Sequence, residues 1–227
     1  MTINGWNISN ASAKQFNVIW GYSEITNKSQ WVERANNPVV FDSITGFKPL
    51  RIVMVVYGNS REAIRGNIST VLSKLLKPST IVLDGFTHKF YGYLRAHSAE
   101  ETAKKRWHVL TLDLEGYEFS SEVSVSGSTS INVNNPGTLT TPAVVTIVPS
   151  AGMSSLTITG LGDTITLTGV ESGKTIVING ETGLITQNNA LRDADLYSMP
   201  VVKPGANVVA CNRSQATITV AFKPRYM

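Results

Sequence analysis

The reading of the fold turns on Leu156-Thr157-Ile158-Thr159-Gly160-Leu161-Gly162-Asp163-Thr164-Ile165-Thr166-Leu167-Thr168. On either side of the Gly-Leu-Gly stretch, apolar residues alternate with threonines. A strand places successive side chains on opposite faces, so Ile158, Ile165 and Leu167 face one way and the threonines the other. This is the signature of an antiparallel sheet with one buried and one wet face. β-Branched Thr fits the pleated, solvated side, and the glycines between the two runs read as a hairpin turn.

The same rhythm continues in both directions. Val144 to Val148, Thr175 to Ile178, Leu184 to Thr186, Val208 to Cys211 and Thr217 to Phe222 are short β-branched runs, most of them about ten residues apart. Asn179-Gly180-Glu181-Thr182-Gly183 closes a further hairpin. No helical period of useful length interrupts them, so the second half is expected to be a β-sandwich. Upstream, Ser120 to Thr141 is short of large residues and contains the turn signal Asn135-Pro136-Gly137. A domain boundary is expected there, giving domains 1–134 and 135–227.

The first half carries one clear helix. Between Ser60 and Leu76, the apolar residues Ile64, Ile68, Val71, Leu72, Leu75 and Leu76 recur at three- and four-residue spacing and share one face. Asn59 and Glu62 have the spacing of a capping box, and Lys77-Pro78 supplies a stop, so the helix is expected over 60–76. Strands are expected at Phe16 to Tyr22, Val39 to Ile44 and Arg51 to Tyr57. Thr80 to Leu83 and Lys89 to Leu94 flank Asp84-Gly85 as a β-hairpin. In Trp107 to Leu114, Trp107, Val109, Thr111 and Asp113 oppose His108, Leu110, Leu112 and Leu114. The whole is therefore a mainly β, two-domain chain with one covering helix.

Composition narrows the function. Of 227 residues, 42% are hydrophobic and only 16% charged, with a single Cys. That excludes a disordered chain and a disulfide-stapled miniprotein. The net charge of +4 is unevenly placed: residues 1–120 hold 14 Lys or Arg against 10 Asp or Glu, whereas residues 121–227 hold 6 of each. The one basic run, Lys104-Lys105-Arg106, is a weak nucleic-acid signal and reads as a solvated strand end. Met1 to Asn10 lacks the basic and apolar regions of a secretory signal, and the longest apolar run, Ile52 to Tyr57, is too short for a spanning helix. Synthesis in the cytoplasm, with no membrane partner, is the expectation.

Catalytic chemistry finds little material. His88, His97 and His108 fall in the hairpin and the strand after it, outside any H-E-x-x-H pattern. No G-x-S-x-G elbow is present, and Gly160-Leu161-Gly162 lacks the third glycine and helix of a phosphate loop. Asp193-Ala194-Asp195 offers two oxygens without the rest of a calcium loop, and Cys211 reads as a small buried hydrophobe. No catalytic residue, cofactor or metal ligand is assigned, and no enzymatic activity is expected. A carbohydrate-binding module or lectin-like adhesin that contacts host cell-surface glycans is the alternative. Such sites use aromatic platforms, and in the second half Tyr197 and Phe222 would have to supply them.

Several local stretches point to one family when read in order. They are Asn135-Pro136-Gly137-Thr138 followed by Thr141-Pro142 and Val144 to Val148; Thr175-Ile176-Val177-Ile178-Asn179-Gly180 with Gly183-Leu184-Ile185; Pro200-Val201-Val202-Lys203-Pro204-Gly205-Ala206-Asn207; and Phe222-Lys223-Pro224-Arg225-Tyr226. With a strand-rich first domain, they make the chain resemble the distal tail protein (Dit) family of long-tailed bacteriophages. The resemblance implies a ring-forming first domain and a galectin-like second domain, here without the sugar motifs of galectins. It also implies a structural virion protein at the tail tip: a homo-hexameric hub that joins the tail tube to tail-tip and baseplate host-recognition proteins and lets DNA pass. A ring needs heterologous interfaces and strand edges rather than a catalytic constellation, and the hairpin from Thr80 to His97 is the expected intersubunit arm.

Overall fold

The computed structural model describes residues 1–34, 36–103 and 106–227, so Lys104 and Lys105 of the basic run lie outside the described residues. The chain divides into two compact units, Met1–Glu118 with Met227, and Phe119–Tyr226.

In the first unit the strands are β1 (Thr2–Ile3), β2 (Trp6–Asn7), β3 (Ala13–Trp20), β4 (Ile25–Gln30), β5 (Val39–Thr45), β6 (Lys48–Tyr57), β7 (Ser79–Val82), β8 (Lys89–Glu101) and β9 (Trp107–Phe119), with helix α1 (Arg61–Ser73) after β6. All but β4 and β5 lie in one sheet of order β2-β1-β7-β8-β9-β6-β3. Strict alternation on β6 and β9 sends Leu50, Ile52, Met54, Val56, Leu110, Leu112 and Leu114 to one face. There they pack with Ile64, Ile68 and Val71 of α1 in a single core. The opposite face carries exposed and half-buried residues, among them Arg51, Val53, Val55 and Tyr57 of β6 and Trp107, Thr111 and Asp113 of β9.

Helix α1 is shorter than the apolar stripe suggests, and its cap differs. Ser60, rather than Asn59, is the N-cap, and its Oγ accepts from the Ala63 amide at 3.1 Å. At the other end the amides of Lys74 and Leu75 donate to the carbonyls of Val71 and Leu72, three residues back. This tightening of the last turn keeps Leu75 in the core and turns Leu76 into solvent.

The second unit comprises β10 (Val123–Gly127), β11 (Ser130–Asn135), β12 (Thr141–Pro149), β13 (Met153–Thr159), β14 (Ile165–Val170), β15 (Ile176–Asn179), β16 (Leu184–Gln187), β17 (Ala190–Leu191), β18 (Val201–Val202), β19 (Gly205–Cys211), β20 (Ala216–Phe222) and β21 (Arg225–Tyr226). One sheet runs β10-β20-β12-β15-β16-β17, with β18 on β12, and the other runs β11-β19-β13-β14. Their inward residues form one core, among them Val145, Ile147, Leu156, Ile158, Ile165, Leu167, Ile178, Ile218 and Val220. The hairpin that opened the reading is β13–β14, registered from Met153↔Val170 to Ile158↔Ile165. Its turn uses Gly160 at φ +93°, where an added Cβ would lie 2.0 Å from the Val208 carbonyl oxygen.

The boundary between units falls at Glu118 and Phe119 instead of Asn135. The polar stretch from Ser120 to Thr141 holds two edge strands: β10 pairs with β20 and β11 with β19. Asn135 is itself buried, donating to the Val202 carbonyl and accepting from the Gly137 amide. The Asn-Pro-Gly turn is thus built into the second unit.

Candidate functional site

The candidate site is an exposed apolar surface of the first unit, and it arises from the chain between β3 and β6. Here β4 and β5 form a two-stranded sheet registered from Ile25↔Thr45 to Gln30↔Val39, and among the described residues no further strand joins it. Every residue of both strands is exposed. Much of that surface is apolar: Ile25, Trp31, Val32, Val39, Val40, Phe41 and Ile44 all remain open to solvent. Polar links brace the hairpin internally, with Ser43 Oγ donating to Asn27 Oδ1 at 2.7 Å and Lys28 beside Asp42 at 3.7 Å. An isolated hairpin is marginally stable in water, and large apolar side chains left open to solvent on one element mark an interaction site. We call this element the arm.

The hairpin expected to be the arm has a different role. β7 and β8 lie inside the main sheet between β1 and β9, and Ile81 and Phe90 are fully buried. Both edges are occupied and the inward side chains are core, so Thr80 to His97 cannot project without dismantling the first unit. The sequence shows a hairpin in both places, and burial separates them.

A charged cluster anchors the root of the arm. Lys48, the first residue of β6, has a side chain only 6% exposed. Its Nζ contacts Glu118 Oε2, donates to the Met227 main-chain oxygen at 2.7 Å and sits 5.1 Å from the Trp20 ring centroid. His88 Nδ1 meets the other Glu118 oxygen at 2.6 Å. The carboxylate therefore bridges two basic side chains from different elements, and the aromatic face completes the cation's surroundings. This lysine's surroundings are fully satisfied from within the first unit, as burial of an ammonium group requires.

The open face of the main sheet carries further paired charges. Arg51 clasps Asp113 through Nε at 2.6 Å and Nη2 at 3.2 Å. Glu115 accepts from Tyr93 Oη at 2.7 Å and contacts Arg95. The Tyr93 hydroxyl foremost, with Arg95 helping against burial, holds the Glu115 carboxyl below the usual carboxylate range, and the same bond pushes the Tyr93 phenol up. Asp113 raises the Arg51 guanidinium by hydrogen bond and charge.

The remaining sequence-predicted residues do not converge. His97 is exposed and His108 half-buried on β9. Asp195 is fixed through its main chain to Thr166, and among the described residues no group of three metal-ligating side chains forms. Cys211 is buried with its thiol pushed up chiefly by burial. Of the two aromatic residues available to a glycan site, Phe222 is only 3% exposed and belongs to the core, because its strand alternates inward at that position. Tyr197 stands alone at 96% exposure. The apolar arm was missed because its strands look like any other β-branched run.

Comparison with known proteins gives this architecture a place. Residues 136–226 match the family of siphovirus-type tail component, C-terminal domain. The crystal structure of the Dit protein of phage SPP1, a hub of the adsorption apparatus in phages infecting Gram-positive bacteria, is similar over 99% of this chain and 98% of that one, with a TM-score of 0.79 at 14% identity. A chain of the phage P2 baseplate in its activated, calcium-bound conformation is similar over 98% of this chain and 94% of that one, with a TM-score of 0.53 at 11% identity. No curated protein matches the chain by sequence.

Proposed function

We propose that the chain, whose residues 136–226 match the siphovirus-type tail component C-terminal domain and whose fold is similar to that of a Dit hub protein, is a Dit-family protein and the hub of a phage tail tip. Six copies form a ring that joins the tail tube to the tail-tip or baseplate proteins responsible for host recognition, and DNA leaves through the central channel. It acts in the virion after synthesis in the host cytoplasm, and it catalyses nothing.

The observation that carries the ring is the arm. A surface of Trp, Phe, Val and Ile side chains held on an unbraced hairpin needs a protein partner. When the partner is a second copy and the two touching surfaces differ, the contact is heterologous and repeats until it closes.

Light scattering and negative-stain microscopy of the purified chain test the reading. Six-fold rings with an open channel are expected. Removal of residues 22–47 should leave a folded monomer, because the main sheet closes without them. A monomeric full-length chain, or an undiminished ring after that removal, refutes it.

A further inference from the structure

A receiver for the arm lies at the opposite end of the strands that bear it. The arm leaves the sheet after Trp20 and returns at Lys48, at the end where Trp20 pairs with Leu50. At the other end, where Ala13 pairs with Val56, lies an open groove of about 410 Å³ lined by Lys14, Gln15, Phe16, Val55, Tyr57 and Trp107. About six residues of strand, roughly 20 Å, separate the two. The arm is exposed along its whole length, so it does not lie on its own groove.

The groove is a built feature of β3 and its neighbours. The register of β3 on β6 shifts between Gln15 and Asn17, so Phe16 is the extra residue of a bulge. Bulges re-aim side chains, and Phe16 is left 77% exposed. Gln15 is locked beside it, its amide donating to the Asp84 carbonyl at 3.0 Å and accepting from the Asp84 amide at 2.9 Å. Tyr57 and Trp107 form the other wall, with ring centroids 6.2 Å apart. Lys14 stands at the rim, exposed and, among the described residues, without an ion pair.

The arm tip has matching chemistry. Trp31 and Val32 are exposed apolar residues directly after β4, and Glu33 follows them, exposed and likewise without an ion pair among the described residues. We propose that Trp31-Val32-Glu33 of one copy seats in the Phe16–Tyr57–Trp107 groove of a second copy of this chain, with Glu33 against Lys14. Donor and acceptor sit at opposite ends of the same strands, so each copy gives one arm and receives another. This is the head-to-tail contact from which a ring closes. The four aromatic rings, Phe16, Tyr57, Trp107 and Trp31, are each about half exposed or more and with Val32 would bury on the order of 600 Å². That is the size of a weak single contact, and closure of a ring repeats it around the assembly.

The docking rests on the ring reading and is tested separately from it. Association of the full chain is followed by light scattering for the wild type, Lys14→Glu, Glu33→Lys, the double reversal and Trp31→Ala. All these positions are exposed, so thermal melts of the first unit should not change. Each single reversal should weaken association about tenfold, and the double reversal should restore it to within about twofold, since the two charges face each other again. Trp31→Ala should weaken it at least about tenfold, as loss of an aromatic anchor does. A wild-type oligomer indifferent to these changes overturns the docking and leaves the ring standing, with another tail component as the groove's occupant. A wild type that stays monomeric at every concentration defeats the ring reading and the docking with it.

Discussion

Replacing Glu118 by Ala should damage the first unit more than any surface substitution. The carboxylate meets both Lys48 and His88, and the two side chains of the Lys48–Glu118 pair are 6% and 15% exposed. Loss of one member of a buried pair leaves an uncompensated charge and costs about 3–5 kcal/mol. Lys48 keeps the Met227 main-chain oxygen and the Trp20 ring, which places the cost near the lower end, about 3 kcal/mol. For a unit of this size each kcal/mol lowers the midpoint by about 4–8 °C, so a fall of roughly 15 °C is expected. Tryptophan fluorescence reads it selectively, because Trp6, Trp20, Trp31 and Trp107 are all in the first unit. The paired replacement Lys48→Met with Glu118→Leu should recover most of the loss, since apolar side chains of similar volume need no counter-charge. A loss below about 1 kcal/mol for Glu118→Ala, or a double variant no better than the single one, would refute the account of a desolvated, mutually dependent pair.

Three further outcomes follow from the same geometry. Gly116→Ala should cost about 1–3 kcal/mol in the fluorescence melt, because its Cβ would lie 2.0 Å from the Tyr91 carbonyl oxygen and 2.5 Å from the Gly92 Cα; an unchanged midpoint would show that β8 and β9 can part there. Tyr93→Phe removes the main cause of the lowered Glu115 pKa. A carboxyl whose folded pKa is depressed adds stability above its unfolded pKa and loses it as pH falls through the folded value, so the variant's acid unfolding should begin at a higher pH; coincident acid transitions would contradict this. Cys211, buried with a raised thiol pKa, should resist thiol reagents at neutral pH until the second unit unfolds, and rapid labelling of the native chain would count against its burial.

What the sequence discloses depends on whether burial leaves a period behind. Thr157-Ile158-Thr159 and Trp107 to Leu114 announce their faces because one side is packed and the other wet. The same period is present in Val123-Ser124-Val125-Ser126 and Ile131-Asn132-Val133-Asn134, yet short side chains and the nearby Pro-Gly made those edge strands read as a linker. Leu76 fits the helical stripe but lies beyond the tightened final turn, an outcome set by local hydrogen bonds rather than by hydrophobicity. The arm is the most informative failure. Val39-Val40-Phe41 looks like core from composition alone, yet every residue of its strand is exposed in the single chain. The groove was invisible for a related reason: Phe16, Tyr57 and Trp107 come from three strands, and a one-residue bulge decides where Phe16 points. The clamp of Lys48, Glu118 and His88 joins positions too distant along the chain for any spacing rule to link them.

The unbraced arm also has a consequence for production. A chain made in excess of its assembly partners carries an adhesive hairpin with two open strand edges, the feature that invites irregular association. Its safe concentration is therefore bounded by the supply of receiving surfaces. If the chain is the proposed tail hub, synthesis in step with its partners would keep that hairpin occupied, and overproduction alone should favour either closed self-assemblies or precipitate over a stable pool of single chains.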